Sequence, residues 1–312
     1  MNLFYGPVLS RRFGYSLGID LIPFKVCVYD CIYCQLGRTT KKTMMRKKYI
    51  DINFDEFESS LIKKISECQY LNYITFSGSG EPTLNSDISE LIRIIKKVTD
   101  IPVAVLTSGG TLGFDSIVND IKGADIIKVS LDAHDGKLLK KINRPCRGID
   151  FDKNISGLKK LLNSFSGDIW LEIMIMKGIN DSLDSAGKFK ELIESLGEGI
   201  EKIHLNTAVR PSGGDYMRLP EQERLQKIKN ILGKKAEIIV KVDIKKYSRD
   251  LLKIEDEIVE LLKRRPTSIK DIAYALGINL NEAIKIIDKL FSEEKIKFKI
   301  KQKVKYYYIL KK

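Results

Sequence analysis

Histidine, cysteine and long apolar runs are scarce in this sequence. Its 312 residues include only five cysteines and two histidines. Three of the five cysteines lie within one eight-residue segment, which argues against a disulfide framework and for metal binding in a reducing compartment. No stretch of 18 apolar residues occurs, and the N-terminal residues lack the apolar core of a signal peptide. We therefore expect a cytoplasmic protein that does not act in a membrane.

The remaining composition is that of a soluble globular protein, with 43% hydrophobic and 30% charged residues. The length is sufficient for a full core and predicts about two domains. A formal net charge of +13 indicates a polyanionic partner, most simply nucleic acid. A lysine-rich composition shared by all proteins of the organism would give the same charge, so both interpretations stay open.

The three clustered cysteines are Cys27, Cys31 and Cys34. Three thiolates at this spacing fit one tight loop, and soft thiolates suit iron–sulfur clusters or zinc. A closed zinc site or an ordinary electron-transfer cluster uses four protein ligands, and the sequence has no fourth Cys or His nearby. A cluster with three protein ligands leaves one iron open, as a catalytic site requires. A zinc knuckle remains the alternative.

Strand and helix patterns alternate along the first three quarters of the chain. Strands are expected at residues 16–22, 73–76, 102–107, 125–131, 168–176 and 202–208. Helices are expected at residues 54–68, 86–99, 114–122, 151–165, 186–196 and 220–232. Such alternation predicts an α/β fold with parallel strands and right-handed crossovers. Six units are too few for a closed eight-fold barrel, and chemistry is expected in the loops after the strands.

Distinctive residues follow several of these strands. The cysteine loop follows the first strand, and GSGEPTL follows the second, with Gly78, Gly80 and Glu81. The two glycines allow a ligand to approach the backbone closely, and Glu81 offers a carboxylate at a strand end. Ser130 and Asp132 close the fourth strand. A plain tight turn with a surface acid is the alternative for GSGEPTL.

The cysteine loop resembles the signature of the radical S-adenosylmethionine (SAM) superfamily, CxxxCx(aromatic)C, with Tyr33 in the aromatic position. The resemblance implies a partial (β/α)6 barrel and a [4Fe–4S] cluster held by the three cysteines. The open iron would chelate the amino and carboxylate groups of SAM. An electron from the cluster would then cleave SAM to methionine and a 5′-deoxyadenosyl radical. An external donor, ferredoxin or flavodoxin, would supply that electron.

The resemblance also implies roles for residues outside the loop. GSGEPTL corresponds to a GGE-like turn in which Gly78, Gly80 and Glu81 would bind the ammonium of SAM, although Ser79 departs from Gly-Gly-Glu. Ser130 and Asp132 would reach the ribose of SAM, unless they cap the following turn. The further residues expected to bind the cofactor are Tyr33, Asn180 and Asn206.

Three loop residues are candidates for contact with the substrate. Arg144 and Arg210 are each followed by proline after a strand and could hold a phosphate or carboxylate; exposed loop arginines are the alternative. Cys146 is a candidate catalytic hydrogen-atom donor because neighbouring arginines favour an activated thiol, with an inert loop thiol as the alternative. His134 and His204 lack an acidic metal-binding pattern.

Further motifs resemble a narrower group, the wyosine-synthesis-like iron–sulfur oxidoreductases. They are SRRFGYSLGIDLIP, CIYCQLGRTT, SLDAHD, INRP and NTAVRP, and the similarity extends to about residue 235. Wyosine synthases modify tRNA, which would suit the positive charge. Those enzymes carry a second cluster on cysteines upstream of the loop, and residues 1–26 contain no cysteine. The resemblance therefore implies the fold and SAM chemistry, but not the wyosine reaction.

A different pattern predicts a second domain at residues 247–312, after a barrel at 1–246. Three short helices are expected at residues 255–264, 269–276 and 281–293, followed by a two-stranded ribbon at 295–310. Together these elements predict a winged helix, which usually contacts nucleic acid. In the ribbon, alternation predicts one face carrying Lys295, Lys297, Lys299, Lys301, Lys303 and Lys305, and an opposite face carrying Ile296, Phe298, Ile300 and Val304.

The lysine face suits phosphate contacts, for which Lys297, Lys299 and Lys303 are candidates. A solvated edge whose lysines prevent aggregation is the alternative. We expect a radical SAM enzyme that modifies a macromolecule, with RNA, and tRNA in particular, as the leading substrate. A protein or peptide substrate is the alternative, and a SAM- or redox-sensing winged-helix transcription regulator is the non-enzymatic one.

Overall fold

The computed structural model describes residues 3–68, 71–208, 218–239, 251–278, 280–302 and 304–309. The strands of the N-terminal part are β1 (Phe4–Ser10), β2 (Gly14–Ile19), β3 (Val26–Cys27), β4 (Lys41–Lys42), β5 (Tyr73–Phe76), β6 (Val103–Thr107), β7 (Ile126–Ser130), β8 (Asp168–Ile175), β9 (Ile200–Thr207) and β10 (Ala236–Ile238). Its helices are α1 (Phe54–Ser66), α2 (Ile88–Val98), α3 (Asp115–Ile121), α4 (Gly136–Ile142), α5 (Phe151–Ser164), α6 (Leu183–Leu196) and α7 (Gln222–Leu232).

Eight of these strands form one sheet in the order β1-β2-β5-β6-β7-β8-β9-β10. Only β1 is antiparallel to its neighbour; the other pairings are parallel and follow helix crossovers. The α/β class and the mostly parallel sheet are therefore confirmed. The expected number of six parallel strands is too small, because β10 adds a seventh. Strand β1 was not predicted either, because it contains Pro7. Proline is tolerated there because β1 is an edge strand.

The two faces of the sheet carry different side chains. Along β8, Ile169, Leu171 and Ile173 belong to the apolar core, whereas Glu172 and Met174 line a cavity on the concave side. Helices cover the outer face, so the strands are buried on both sides. This alternation places polar groups in the cavity without exposing the core.

Local signals set the helix ends. Asn53 begins α1, where its side chain accepts hydrogen bonds from the backbone N–H groups of Asp55 and Glu56. Asp135 caps α4 in the same way through Leu138. Helix α4, with seven residues, was not predicted from the sequence.

The C-terminal part contains α8 (Leu251–Arg264), α9 (Ile269–Leu276), α10 (Leu280–Ser292), β11 (Lys297–Lys301) and β12 (Val304–Tyr308). The two strands form an antiparallel hairpin, and Thr267 makes a further bridge to Tyr307. The apolar side chains of this part pack among themselves, including Ile258, Leu276 and Ile287. The expected domain boundary after residue 246 lies outside the described residues.

The hairpin register corrects the expected lysine face. Lys301 pairs with Val304 and Ile300 pairs with Lys305. Directly opposite residues share a face, so odd-numbered residues of β11 lie beside even-numbered residues of β12. Lys305 therefore falls on the apolar face and Val304 on the lysine face, contrary to the alternation read along the sequence.

The C-terminal part packs against the edge of the large sheet. Arg264, in the last turn of α8, donates to the Asp20 carboxylate at 2.7 Å and lies 3.8 Å above the ring of Tyr5. Both charged side chains are largely buried. Helix α8 therefore lies close to the ends of β1 and β2, beside the cavity. Within the described residues, no helix has the length and apolar character of a membrane span.

Candidate active site

A cavity of about 410 Å³ lies between the carboxyl ends of the parallel strands, the β1–β2 hairpin, and helices α8 and α9. Its wall includes predicted site residues from four separate segments, namely Tyr33, Cys34, Gly78, Ser130 and Asn206. The carboxyl ends of parallel strands meet at one edge, which explains why residues so distant in sequence converge here.

The cysteine loop lies at one side of this cavity. The short strand β3 begins the loop and pairs with β4, and the backbone N–H of Cys34 donates to the carbonyl of Cys31 at 3.0 Å. Cys27, Cys31 and Cys34 are half-buried free thiols. A tight, hydrogen-bonded loop therefore presents three thiols beside the cavity.

The thiols lie near one another and near two carboxylates. Burial raises the pKa of Cys27 to about 12, and the nearby Glu81 carboxylate is the second cause of this increase. Burial, and next the Asp132 carboxylate, raise the pKa of Cys31, to which Cys27 and Cys34 also contribute. As ligands these groups bind as thiolates, so binding would release their protons.

The three thiols suit a cluster better than a closed zinc site as a set of donors. A closed zinc site uses four protein ligands, each about 2.0–2.3 Å from the metal. A cubic cluster binds each thiolate at a different iron, and three thiolates leave one iron open. Across the described part of the chain, no three His, Cys, Asp or Glu side chains are gathered around one metal position.

A hydrogen-bond network connects the cysteine loop to Asp132 and β8. Asn143 donates through Nδ2 to Cys31 Sγ at 3.3 Å and to Asp132 Oδ2 at 2.9 Å. The Tyr33 hydroxyl donates to the same carboxylate, whose other oxygen accepts the backbone N–H of Met174 at 3.0 Å. Asp132 is thus buried and connects the loop to β8. The INRP motif contained Asn143, but nothing local in the sequence linked it to Cys31.

Asp20 fixes the turn that follows β5. The backbone N–H of Ser79 donates to both Asp20 oxygens at 3.0 Å, and the Ser79 hydroxyl donates to Oδ2 at 2.6 Å. Gly78 has φ +151°, and a side chain there would overlap the Asp20 carboxylate. A Cβ on Gly80 would lie 1.9 Å from the carbonyl oxygen of Val26. Both glycines are therefore needed to pack this turn against the cysteine loop.

The Glu81 carboxylate is almost fully buried, with 1% of its surface exposed. Oε1 accepts the hydroxyls of Thr83 and Thr107, each at 2.8 Å, and the N–H of Thr83 at 3.3 Å. Oε2 accepts the backbone N–H of Ser108 at 2.8 Å and the Ser108 hydroxyl. These donors occupy the lone pairs of the carboxylate. A ligand ammonium must therefore displace hydroxyl donors to reach it.

A second charged network, which sequence patterns did not reveal, lines the cavity floor. Glu172 accepts from Lys128 at 3.1 Å and pairs with Arg12, and Asn206 Nδ2 donates to it at 3.3 Å. Burial alone would raise the pKa of Glu172, but Arg12 and Lys128 lower it to about 2. Lys128 also donates to Ser130 Oγ at 3.0 Å. Alternation along β7, β8 and β9 is the signal that could have placed these polar residues on one face.

Several predicted residues lie away from the cavity wall. Asn180 is buried. Its amide nitrogen donates to the carbonyls of Met174 and Asp132, and its amide oxygen accepts the backbone N–H of Met176. Arg144 is partly exposed and its guanidinium lies 3.8 Å from Asp30. The N–H of Cys146 donates to the carbonyl of Val28, which places its backbone beside the cysteine loop.

The positions of two further predicted residues, Arg210 and Lys303, lie outside the described residues. His134 contacts Asp135 at 3.1 Å, and His204 is buried against the ring of Trp170. Neither histidine lines the cavity.

Comparisons with curated proteins find relatives along nearly the whole chain. A UPF0026 protein of Methanocaldococcus jannaschii is 32% identical over 303 residues, covering 95% of this chain and 92% of the relative. The GTPase Obg of Brachyspira hyodysenteriae is 34% identical over 302 residues, but the chain spans only 43% of that protein. A probable GTP 3′,8-cyclase of Sulfurisphaera tokodaii is 26% identical and covers 81% of this chain and 74% of the relative.

Solved structures share the fold at low sequence identity. A radical SAM methyltransferase from Sphaerobacter thermophilus matches with a TM-score of 0.56 and 18% identity, covering 72% of this chain and 65% of the other. TYW1 with a lysine-pyruvate adduct matches with a TM-score of 0.52 and 19% identity, covering 73% and 75%. The family model described as the radical SAM superfamily matches residues 21–194, more than half of the sequence. This chain belongs to the radical SAM superfamily.

Proposed function

We propose that Cys27, Cys31 and Cys34 hold a [4Fe–4S] cluster beside this cavity, where the protein cleaves SAM reductively to begin radical modification of RNA. As a superfamily member the protein is an enzyme, and the cluster and SAM are its cofactors. One observation carries the assignment of the residues. Cys34, from the cysteine loop, lines a single cavity together with Tyr33 from the same loop and with Gly78, Ser130 and Asn206, which come from three other strand ends.

The cluster, when bound, supplies an electron to SAM from an external reductant. The residues of this chain orient the cofactor and exclude water. Gly78 belongs to the cavity wall at the turn, and Ser130 and Asn206 offer polar atoms to the ribose of SAM from the same wall. Glu81 would accept the SAM ammonium if the hydroxyls of Thr107 and Ser108 rotate away. Asp132 acts indirectly, because it holds Tyr33 and Asn143 in place.

The C-terminal part supports RNA as the substrate. Three helices followed by an antiparallel hairpin match the element order of a winged helix, which we propose for residues 247–312, after a barrel at 1–246. Lys297, Lys299 and Lys301 share one hairpin face with Tyr306 and Tyr308. Lysines attract phosphates without reading the base sequence. The net charge of +13 has the same sign.

A free nucleotide is a second candidate substrate. The cavity is closed on one side by α8 and α9, and about 410 Å³ accommodates a small molecule or one residue of a macromolecule. The archaeal relative named as a GTP 3′,8-cyclase supports a nucleotide in this class. A peptide substrate is still compatible with the cavity, but the positive net charge does not favour it. The regulator alternative is set aside, because superfamily members are enzymes.

Release of 5′-deoxyadenosine tests the proposed reaction. Anaerobically reconstituted and chemically reduced protein should form 5′-deoxyadenosine from SAM, as measured by mass spectrometry. Cys34→Ala should abolish the product, because it removes a ligand at the cavity wall. Cys68→Ala is the matched control and should retain the product, since this thiol lies beyond α1, away from the cavity. Wild-type protein that holds the cluster yet releases no 5′-deoxyadenosine would contradict the proposal.

A further inference from the structure

Helix α8 contributes two adjacent arginines to the cavity wall. Arg264 and Arg265 line the same cavity as Cys34, although they belong to the C-terminal part of the chain. The C-terminal part therefore forms one side of the cavity. Its arginines face the cavity that the proposed function assigns to the substrate.

The two arginines differ in how their charge is balanced. Arg264 pairs with Asp20 at 2.7 Å and stacks on Tyr5. Arg265 has no ion pair and no side-chain hydrogen bond within the described residues, and its Nε is buried without a partner. The side chain as a whole is half-buried, and a charged group with a buried, unpartnered N–H is unfavourable unless another group compensates. Arg265 is thus the charge on this wall that most needs an anion.

The surroundings of Arg265 are themselves positive. Arg11 and Arg12 lie near it on the facing β1–β2 hairpin, and Asp271 lies near it on α9. Burial lowers the pKa of Arg265, Tyr5 and Asp271 oppose this shift, and the two arginines add to it. Among the described residues, the charged side chains along the wall are five cations, Arg11, Arg12, Lys128, Arg264 and Arg265, and two carboxylates, Glu172 and Asp271, and Asp20 beside the wall pairs with Arg264. Glu172 is already shared by Arg12 and Lys128. The protein's own carboxylates therefore leave an excess of positive charge at the α8 end.

We propose that Arg265 binds a phosphate group of the substrate at the α8 end of the cavity, so that the C-terminal part selects the substrate. The proposal rests on the proposed function and specifies the substrate class for that same site. A phosphate ester carries up to about two negative charges, which matches the excess better than one carboxylate does. A guanidinium also holds phosphate through paired N–H···O bonds.

This placement fixes the direction in which the substrate lies. Arg265 and Cys34 line one continuous cavity. With its phosphate at α8, the rest of the substrate extends towards the cysteine loop, where SAM is cleaved. One nucleotide, either free or within an RNA strand, has the size and the charge that this arrangement accepts.

Anaerobic calorimetry of the full-length protein with its cluster tests the phosphate site. Inorganic phosphate should bind the wild type and bind Arg265→Gln about ten- to hundredfold more weakly, because a charge-assisted contact is lost. Lys263→Gln, on the same helix but exposed and paired with Glu260, is the matched control and should bind like the wild type. Arg265→Lys, which keeps the charge but loses the paired bonds, should fall between them. Each variant is first compared with the wild type by thermal melting.

Three outcomes overturn the proposal: no phosphate binding by the wild type, equal affinity in correctly folded Arg265→Gln, or acetate binding as tightly as phosphate. Parallel titrations with 5′-AMP and with a short oligoribonucleotide identify the source of the phosphate. Tighter binding of the mononucleotide supports a free nucleotide, and tighter binding of the oligomer supports RNA, provided that either depends on Arg265.

Failure of this proposal is distinct from failure of the proposed function. Wild-type protein that binds phosphate through Arg265 but forms no 5′-deoxyadenosine retains the phosphate site and refutes the SAM reaction. Wild-type protein that forms 5′-deoxyadenosine but shows no Arg265-dependent phosphate binding retains the reaction and refutes the site.

Discussion

Replacing Asn143 should change the reduction potential of the cluster without removing it. Asn143 donates a hydrogen bond to Cys31 Sγ at 3.3 Å, and Cys31 is one of three proposed ligands. A donor to a ligand sulfur stabilises the more electron-rich reduced cluster. Asn143→Ala removes that donor, so the reduced state becomes less stable and the midpoint potential should become more negative.

The size of the shift follows from the strength of one hydrogen bond. A neutral hydrogen bond contributes about 0.5–1.5 kcal/mol net. For a one-electron couple, about 59 mV corresponds to a factor of ten, or about 1.4 kcal/mol. If the bond exists only in the reduced state, the shift is at most about 20–65 mV, and a bond present in both states gives a smaller one.

A neighbouring substitution should shift the potential in the opposite direction. Asp132 carries a buried carboxylate whose charge raises the pKa of Cys31, so Asp132→Asn removes a nearby negative charge. Its midpoint potential should become less negative; the titration is run at about pH 8, because burial raises the pKa of Asp132 and a higher pH favours its charged form. Asn154→Ala is the control, because Asn154 bonds Tyr29 and Gly113 rather than a cysteine sulfur.

The assay is a redox titration followed by electron paramagnetic resonance, with iron content measured for each variant. Shifts of the same sign for Asn143→Ala and Asp132→Asn would refute this account of the network. An Asn143→Ala potential equal to that of Asn154→Ala would refute it as well.

Three further predictions concern SAM binding, RNA binding and acid stability. Glu81→Ala should keep the cluster but bind SAM about ten- to hundredfold more weakly, because a charge-assisted contact is lost; an unchanged SAM-induced spectral shift would show that Glu81 does not bind the ammonium. Replacing Lys297, Lys299 and Lys301 together by alanine should reduce the slope of log tRNA affinity against log salt concentration by roughly two to three units. Replacing three exposed lysines of the outer helices by alanine should leave that slope unchanged. Burial lowers the pKa of His204 in the folded protein to about 4, and Arg12 adds to this shift. As the pH falls, His204 is therefore protonated first in the unfolded chain, below about pH 6.5. The free energy of unfolding decreases as the pH drops from there towards 4. His204→Phe should therefore reduce the loss of unfolding free energy between about pH 7 and pH 5 by on the order of 1–2 kcal/mol, as measured by urea titration; an unchanged loss would contradict a neutral buried histidine.

The sequence was sufficient to predict most helices and strands, because their periodic patterns are local. Residues 73–76 and 269–276 were expected as a strand and a helix, and the structure has Tyr73–Phe76 and Ile269–Leu276. Errors occurred where the pattern was short or non-local. Strand β10 has three residues, and the hairpin faces depend on a turn whose register sequence alternation cannot show.

For the candidate site, too, local sequence patterns were predictive and contacts between distant segments were not. The cysteine spacing and the residues after strand ends predicted five residues that line the cavity: Tyr33, Cys34, Gly78, Ser130 and Asn206. The supporting contacts could not be predicted, because they join distant segments. Asn143 reaches Cys31 across 112 positions, and Arg264 reaches Asp20 across 244. Only the folded chain brings those pairs together.

In the proposed site, three cysteines alone hold a cluster with an open iron. Iron and sulfide analysis of anaerobically reconstituted protein tests it most directly. The wild type and Cys68→Ala should each bind about four irons and four sulfides per chain. The triple variant with alanine at Cys27, Cys31 and Cys34 should bind none, and SAM should alter the spectrum of the wild-type cluster. Stoichiometric zinc in native protein, with no cluster formed on reconstitution, would contradict the account.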